Sequence, residues 1–256
     1  MTLPPIDAHA HIKTSVPERD LSDREAFVVA VTRERSEWQR ALRRRDGMAV
    51  WGIGVHPGLG TEIESFDPEG FALAVRAAVF VGEIGLDGRS KAPAVAQRAV
   101  FDQALAVLVR TPRPATIHSV AASRQTLDAL QQRPIRAPVL HWWRGSKSET
   151  EEAIQLGCFF SVNGAEVKRP KVLRLLPKDR VLTETDFPYS RHSDPGASQP
   201  AAVSTTEQAL MREWGLSELD LRRRLWRNLA DLFDRCDLVE RLPEAVQNTM
   251  LTAGVR

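Results

Sequence analysis

The 256-residue chain has few of the features that mark disulfide-bonded, thiolate-binding or membrane-spanning proteins. Its two cysteines, Cys158 and Cys236, are far apart and show no C-x-x-C spacing, which argues against a redox or thiolate-zinc site. No stretch approaches the roughly 18 continuous apolar residues of a membrane span. The N-terminus lacks a basic segment followed by an apolar run, so no secretory signal is expected. These absences predict a cytoplasmic protein with reduced thiols and no membrane partner.

Charge and length set further limits. The net charge is only +2, so the molecule as a whole is not a polycation, yet its positive charge is nearly all arginine, with 29 Arg against 6 Lys. Arginine binds phosphate oxygens two at a time, although a GC-rich genome would give the same bias. The apolar content of 43% is enough for a sizeable core. We therefore expect a single domain over residues 1–256, its last residues, 234–256, being helical or a loose tail.

Eight short apolar stretches are predicted to be strands, because they are rich in Val, Ile and Phe and most carry Gly or Pro at one end. Continuous apolar runs are typical of parallel sheets that are buried on both faces. Helix-like segments separate most of the strands, and only the first connection lacks a convincing helix. This alternation predicts an α/β fold, a (β/α)8 TIM barrel, with a doubly wound sheet as the main alternative. The stretches are residues 5–11, 26–32, 48–56, 79–86, 114–119, 136–142, 157–163 and 180–186.

The first predicted strand, in "PPIDAHAHIK", carries two histidines one residue apart. Residues two apart on a strand share a face, so Asp7, His9 and His11 are expected on one side. Two imidazoles held side by side can bind one metal ion. A pair of surface histidines at a frayed terminus is the alternative.

Further metal-binding residue types fall where a barrel would place its active site, at the carboxyl ends of the strands. A lone carboxylate inside the apolar stretch "VGEIGLD" would be costly to bury without partners. Imidazoles and carboxylates gathered at one rim predict divalent metal ions, and a carboxylate can bridge two ions roughly 3.5–4 Å apart. The donor set does not choose among Zn, Mn, Fe, Co and Mg. The residues concerned are His9, His11, His56, Glu83, His118, His141 and Asp186, whereas His192 in a polar loop is expected to be solvated.

The order of these motifs resembles that of the TatD-type metal-dependent hydrolases, which belong to the amidohydrolase superfamily. The resemblance runs from about residue 6 to 233 through "DAHAH", "GVHP", "GEIGLD", "IHS", "SVNG", "LTETDFP" and "RNLADLF". It implies a two-metal deoxyribonuclease, of a kind that often has 3′–5′ exonuclease activity on single-stranded DNA. The sequence thus predicts a metal-dependent hydrolase with DNA as its substrate.

The resemblance also implies a role for each matching residue. His9 and His11 would hold the first metal, His118 and His141 would complete the second, and Glu83 would bridge both. Asp186 would bind the first metal and act as general base on the attacking water, while His56 would face the scissile phosphate. Three residues are candidates for supporting the ligands from behind: Asp7, Glu184 and Asn228.

The chain departs from the family pattern near the predicted substrate. It has Gly88 where an aromatic residue is common, and Val120 where an arginine is common. "HWWRG" replaces text like "HCFSG", which makes Trp142, Trp143 and Arg144 candidate substrate contacts. An aromatic ring can stack on an unpaired base and an arginine can bind a phosphate. Packing of both tryptophans in the barrel mouth is the alternative.

A narrower resemblance, carried by "LHWWRGS", "GCFFSVNG" and "LTETDFP", is to QatD, the TatD-type component of bacterial Qat anti-phage systems. It implies partner proteins encoded in the same operon. Two alternatives to a nuclease stay open. One is an amidase or lactonase of the same superfamily, in which a fourth-strand lysine is a frequent mark, and the other is a defence-complex component with reduced catalysis.

Overall fold

The computed structural model describes residues 2–168, 170–190 and 198–255 and has eight parallel strands in the order in which they occur in the chain. Each strand pairs with the next one, which confirms the predicted (β/α)8 barrel and removes the doubly wound alternative. His192 lies outside the described residues. The strands are β1 (Ile6–Ala10), β2 (Phe27–Val31), β3 (Ala49–Ile53), β4 (Phe80–Gly85), β5 (Ala115–His118), β6 (Pro138–His141), β7 (Phe159–Val162) and β8 (Val181–Thr183).

Helices follow each strand and form the outer layer. The first connection, predicted without a helix, contains the five-residue α1, and the connection after β7 contains a 3-10 turn, Gly164–Lys168, and the short α8. No helix within the described residues has both the length and the apolar character to cross a bilayer. The helices are α1 (Glu18–Ser22), α2 (Arg35–Arg43), α3 (Gly60–Glu64), α4 (Pro68–Ala77), α5 (Ala94–Arg110), α6 (Ser123–Gln132), α7 (Lys147–Gln155), α8 (Pro170–Leu173), α9 (Ser204–Trp214), α10 (Glu218–Asp234) and α11 (Glu244–Thr252).

Local sequence signals set several helix ends. The Asp67 carboxylate accepts hydrogen bonds from the amides of Glu69, at 3.1 Å, and Gly70, at 3.0 Å, and Pro68 opens α4. Such an N-cap is worth about 1 kcal/mol. At the other end of a helix, Gly157 follows α7 with a φ of 80°, a conformation that glycine adopts without strain.

The strands are buried on both faces, which explains their continuous apolar sequences. Every residue of all eight strands is buried. Phe80, Phe159 and Phe160 are among the largest fully buried side chains. Burial of each such side chain stabilises the fold by about 1.5–3 kcal/mol. The barrel therefore supplies a rigid frame for the groups at its carboxyl end.

The barrel closes between β1 and β8 through loop and side-chain bonds. No strand ladder joins these two strands within the described part of the chain. Instead, the Asp186 amide donates to the His9 carbonyl at 2.9 Å, and the His11 amide donates to the Phe187 carbonyl at 2.7 Å. The buried Asp7 carboxylate accepts from the amide and hydroxyl of Thr185 at 2.9 and 2.7 Å. This seam lies at the same end of the barrel as the predicted metal ligands.

Two strands carry an extra residue at a predicted metal ligand. In β1 the register shifts between Asp7 and Ala10, around His9, and in β4 it shifts between Val81 and Ile84, around Glu83. Bulges of this kind bend a strand and re-aim a side chain, and they are frequent beside active sites. The strict alternation assumed from sequence therefore does not hold at these two positions.

Candidate metal centre

Glu83 lies at the middle of the histidine cluster, and its two oxygens face different partners. Oε1 is 2.5 Å from His118 Nδ1 and 2.7 Å from His141 Nε2. Oε2 is 3.3 Å from His11 Nε2, 3.4 Å from His56 Nε2 and 3.8 Å from His9 Nε2. The side chain is only 1% exposed. One buried carboxylate thus contacts five imidazoles that come from four other strands or their ends.

Glycines allow the main chain around Glu83 to reach this position. Gly82 has a φ of 147°, and a Cβ there would lie 2.1 Å from Thr116 Cγ2. Gly85 has a φ of 142°, and a Cβ there would lie 2.1 Å from the His118 carbonyl oxygen. The Glu83 amide itself donates to the Thr32 carbonyl at 3.0 Å. The "GEIG" sequence is therefore required because β4 bulges into close contact with β5 and the end of β2.

His9, His11 and Asp186, here called the β1–β8 group, form one set of donor atoms beside Glu83. The two Nε2 atoms are 3.3 Å apart, and Asp186 Oδ1 is 3.7 Å from His9 Nε2 and 3.4 Å from His11 Nε2. Ligands about 2.1 Å from a tetrahedral ion lie about 3.4 Å from one another. The spacing of this group therefore suits one divalent ion. Asp186 has a φ of 48°, a left-handed conformation that aspartate tolerates better than most residues.

His118 and His141, the β5–β6 group, lie on the other side of Glu83. His141 Nε2 is 3.3 Å from His118 Nδ1, and both atoms face the same carboxylate oxygen. A second carboxylate lies behind each ring. Asp87 Oδ2 is 3.4 Å from His118 Nε2, and Glu184 Oε1 is 3.6 Å from His141 Nδ1. The ring orientations thus leave one nitrogen of each histidine for Glu83 and turn the other toward an acid.

The pKa values follow from burial and from the mixed charges. Burial acts to raise the pKa of Glu83, but the histidines around it hold that pKa well below its usual value. Burial lowers the pKa of His9 well below its usual value. Burial opposes the charge on His141 as well, but Glu83 and Glu184 raise its pKa well above the usual value. Burial also raises the pKa of Glu184 to about 7 and that of Asp7 to about 6.

His56 is held as a hydrogen-bond donor. Its Nδ1 accepts a hydrogen bond from the Gly58 amide at 2.9 Å, so in the neutral ring the proton is on Nε2, which faces Glu83. Burial lowers the pKa of His56 to about 4, so the ring is neutral near pH 7. A neutral imidazole with its proton on Nε2 can donate to an anion but cannot offer that nitrogen to a metal.

Several buried atoms of the centre find no hydrogen-bond partner within the described residues. They are Glu83 Oε2, His11 Nδ1, His118 Nε2 and His141 Nδ1. Leaving a buried carboxylate oxygen unpaired is costly, and Glu83 Oε2 is the atom that faces the β1–β8 group. A divalent cation there would satisfy it. Nitrogen and oxygen donors without sulfur suit Zn, Mn, Fe, Co or Mg, so the residues present fit a metal. Three triads satisfy simple metal-site spacing: His9–Glu83–His141, His9–His11–Asp186 and His56–Glu83–His118. In the third triad the proton on His56 Nε2 leaves that nitrogen without a lone pair for a metal.

Comparison with known proteins agrees with this geometry. Residues 6–234 match the family described as TatD related DNase. The chain belongs to the TatD family. The predicted hydrolase class is therefore confirmed.

Two relatives and one solved structure illustrate the similarity. The human protein named deoxyribonuclease TATDN3 is 25% identical over 262 residues, covering 90% of this chain and 94% of that protein. The Klebsiella pneumoniae protein named 3′-5′ ssDNA/RNA exonuclease TatD is 33% identical over 147 residues, covering 53% of this chain and 56% of that protein. The crystal structure of the Escherichia coli TatD homologue YJJV has a TM-score of 0.77 at 22% identity, covering 91% of this chain and 99% of that chain. This last likeness supports the fold.

The adjacent tryptophans of this TatD-family chain, Trp142 and Trp143, lie in different surroundings. Trp143 is 3% exposed, its Nε1 donates to Thr150 Oγ1 at 2.9 Å, and Gly145 packs under its ring. The ring fills space between β6 and α7, and this burial does not favour the predicted substrate contact by Trp143. Trp142 has a φ of 42° and is half-buried at the rim.

Trp142 and Arg144 are held together at that rim. Trp142 Nε1 donates to Glu166 Oε1 at 3.1 Å, and Arg144 Nε donates to the same oxygen at 2.9 Å. The Arg144 guanidinium lies 4.9 Å from the centre of the Trp142 ring, within cation–π range, and its side chain is 52% exposed. Both residues therefore lie at the rim, and a substrate contact by either one stays a prediction.

The three predicted supporting residues have different environments. Glu184 lies behind His141, and its second oxygen accepts a short hydrogen bond from Ser161. Asp7 closes the barrel seam through Thr185. Asn228 is far from the centre, because its amide donates to the carbonyls of Lys178 and Val181 at 2.9 and 2.7 Å, before and at the start of β8. Asn228 therefore joins α10 to the start of β8, at the end of the barrel opposite the metal centre, and this position does not favour the predicted supporting role.

Sequence reasoning missed two supporting residues. Thr116 Oγ1 lies 2.9 Å from His9 Nδ1, and Asp87 contacts His118. Thr116 precedes His118 by two residues on β5, a spacing that could have placed both on one face. Asp87 ends the "GEIGLD" motif, which offered no role for it beyond the family pattern.

The two departures at the rim touch each other. The Gly88 amide donates to the Val120 carbonyl at 2.8 Å, and a Cβ on Gly88 would lie 2.4 Å from the Ala121 carbonyl oxygen. The loops after β4 and β5 therefore meet at a point where a side chain at position 88 would not fit.

Proposed function

We propose that this protein is a two-metal phosphodiesterase that removes nucleotides from single-stranded DNA in the 3′–5′ direction. The observation that carries the proposal is the position of Glu83, whose Oε1 faces the β5–β6 group while Oε2 faces the β1–β8 group. A carboxylate with donors on both sides suits two divalent ions. Relatives named as deoxyribonucleases and as a 3′-5′ ssDNA/RNA exonuclease support the substrate class.

Each residue then has a chemical task. His9, His11 and Asp186 would hold one ion, His118 and His141 the other, and Glu83 both. Bound divalent ions supply an activated water and neutralise charge on the phosphate. Asp186, whose side chain is 7% exposed, accepts the proton of the attacking water. His56 donates a hydrogen bond from its Nε2–H to a phosphate oxygen as negative charge develops, and keeps its proton.

Substrate contacts are proposed on the β6 side of the centre. Trp142 offers a half-buried aromatic edge for stacking and Arg144 an exposed guanidinium for a phosphate. Glu184 and Asp87 keep the β5–β6 imidazoles oriented. An amidase or lactonase role lacks support of this kind, because β4 carries Glu83 and no lysine.

We further propose a cytoplasmic protein that acts with partners of an anti-phage operon, as the resemblance to QatD implies. The genes encoded beside this one test that part of the proposal. Genes unrelated to defence on both sides would contradict it.

The activity is tested with single-stranded oligonucleotides that carry a label at either the 3′ or the 5′ end, incubated with Mn²⁺. We expect early release of the 3′ label by the wild type and loss of cleavage in Glu83→Gln and in Asp186→Asn, with each variant still folded. Glu244→Gln, an equivalent change on α11, serves as the control. Full cleavage by Glu83→Gln would refute the assignment, as would hydrolysis of a panel of amides and lactones but not of DNA.

A further inference from the structure

Tyr189 and Arg33 lie beside the metal centre, at the carboxyl ends of β8 and β2. The ring of Tyr189, the only tyrosine in the chain, lies 4.8 Å from the His11 ring in an edge-to-face arrangement. The Arg33 guanidinium lies 4.8 Å from the centre of the Tyr189 ring and donates to its hydroxyl at 2.5 Å. Tyr189 thus contacts both the His11 ring of the β1–β8 group and the guanidinium of Arg33.

Arg33 differs from the other rim arginine in its charge environment. Arg144 is bound to the buried carboxylate of Glu166. Within the described residues, no carboxylate pairs with the Arg33 guanidinium, and its Nε is buried without a hydrogen-bond partner. The nearby Glu37 carboxylate instead accepts the main-chain amides of Arg33 and Glu34, at 2.8 and 3.3 Å. Among residues 2–168, 170–190 and 198–255, no carboxylate therefore neutralises the charge of Arg33.

Arg33 and Tyr189 also line a cleft of about 600 Å³ that begins at His11. Its walls include two further cations, Lys13 and Arg24, and the apolar side chain of Phe187. Two acids, Glu34 and Glu37, also line it, and the Glu37 carboxylate is engaged by main-chain amides. Tyr189 is 52% exposed there. A cleft of this size, with several cations and an aromatic ring beside the metal centre, suits a charged chain with flat bases.

We propose that Arg33, oriented by Tyr189, binds the substrate phosphate adjacent to the one that is cleaved, so that the single strand leaves the metal centre through this cleft. The inference rests on the proposed nuclease function. A guanidinium binds two phosphate oxygens through parallel N–H donors, which a lysine cannot do. Tyr189 acts as a positioning residue, because its ring and hydroxyl hold the guanidinium.

The test compares two substrates. An oligonucleotide has the neighbouring phosphate, whereas bis(4-nitrophenyl) phosphate is a diester without one. For Arg33→Gln we expect kcat/KM to fall about tenfold on the oligonucleotide and to stay at the wild-type value on the small diester. The slope of log binding against log salt should fall by about 0.7, the loss of one phosphate contact on a single strand. Arg33→Lys should recover part of the loss, and Tyr189→Phe should lose less than Arg33→Gln.

Arg110→Gln is the matched control, because Arg110 ends α5 at the opposite end of the barrel. It removes the same charge and should leave both activities and the salt slope unchanged. If Arg33→Gln matches the wild type on the oligonucleotide, or loses activity equally on both substrates, the inference is overturned. If the wild type cleaves neither substrate, the proposed function itself has failed.

The single tyrosine allows a readout that is independent of turnover. Protein grown with fluorotyrosine carries one ¹⁹F label, at position 189. A phosphorothioate oligonucleotide, which resists cleavage, should shift this resonance in the wild type and shift it much less in Arg33→Gln. A resonance that does not respond to the oligonucleotide in the wild type would overturn the inference.

Discussion

The β1–β8 group and the β5–β6 group contact the same carboxylate but are built differently. In the β1–β8 group the donor atoms are 3.3–3.7 Å apart, and a neutral hydroxyl, Thr116 Oγ1, lies behind one of its rings. In the β5–β6 group both rings approach Glu83 within 2.7 Å, and an acid lies behind each.

This difference indicates how each group fixes its imidazoles. The main chain holds the β1–β8 group, since the Asp186 amide bonds the His9 carbonyl and the His11 amide bonds Phe187. Charge holds the β5–β6 group, since Glu83, Asp87 and Glu184 surround its rings. Side-chain substitutions behind the rings should therefore affect the β5–β6 group more than the β1–β8 group.

The largest expected effect comes from neutralising Glu83, the carboxylate that both groups contact. Elemental analysis after dialysis against Mn²⁺ or Zn²⁺ should find two ions per wild-type chain. His9→Ala and His118→Ala should each retain fewer, and Glu83→Gln the fewest, because its carboxylate serves both groups. His56→Ala is the control and should keep two ions, since His56 offers a proton and not a lone pair. If Glu83→Gln retained two ions, the Glu83 carboxylate would not be needed by either group, and the comparison of the two groups would fail.

Removal of the metal should be the next largest effect. An ion present at about 100 times its Kd stabilises the fold by about 2.7 kcal/mol, and a domain of this size loses roughly 2–4 °C in Tm per kcal/mol. Chelation should therefore lower the Tm by about 5–10 °C for each ion. The Tm of Glu83→Gln should fall much less on addition of chelator. A wild-type Tm that does not change with chelator would contradict the metal centre.

Asp87→Asn tests whether the acid beside His118 orients the β5–β6 group. Removing an acid that orients a metal-binding imidazole typically weakens metal affinity about 10- to 100-fold. Competition with a chromophoric chelator measures this change. Asp102→Asn, which alters a surface pair with Arg98 on α5, should leave the affinity unchanged. An Asp87→Asn affinity equal to that of the wild type would mean that charge does not hold this group.

Thr116→Val gives the smallest expected effect. It removes the hydroxyl beside His9 Nδ1 but leaves the main-chain bonds of the β1–β8 group in place. A neutral hydrogen bond contributes about 0.5–1.5 kcal/mol, so metal affinity should fall a few-fold in the same assay. A loss larger than that of Asp87→Asn would reverse the proposed difference between the two groups.

The sequence predicted the barrel because strands buried on both faces produce continuous apolar runs, and the structure places a strand in each run. It overestimated the last strand, predicted over 180–186 and observed as Val181–Thr183. Beyond Thr183 the chain bonds the side chain of Asp7 through Thr185 and no longer continues the sheet. Such a bond, between residues 178 positions apart, cannot be read from a local sequence pattern.

Residue type and strand end were enough to predict which side chains meet at one rim, as for Glu83 and Asp186. It was not predictable where it depends on backbone irregularity. The bulges at His9 and Glu83 break the alternation from which faces are read. Likewise, the left-handed Trp142 separates two adjacent tryptophans, so that one reaches the rim and Trp143 enters the core.

The closure of the barrel through the Asp186 and His11 amides has a consequence for denaturation. A local opening that frees the first strand from the last would scatter the donor atoms of the β1–β8 group while most of the helical layer stays folded. Under mild urea, catalytic competence should consequently disappear before the far-ultraviolet circular dichroism signal does.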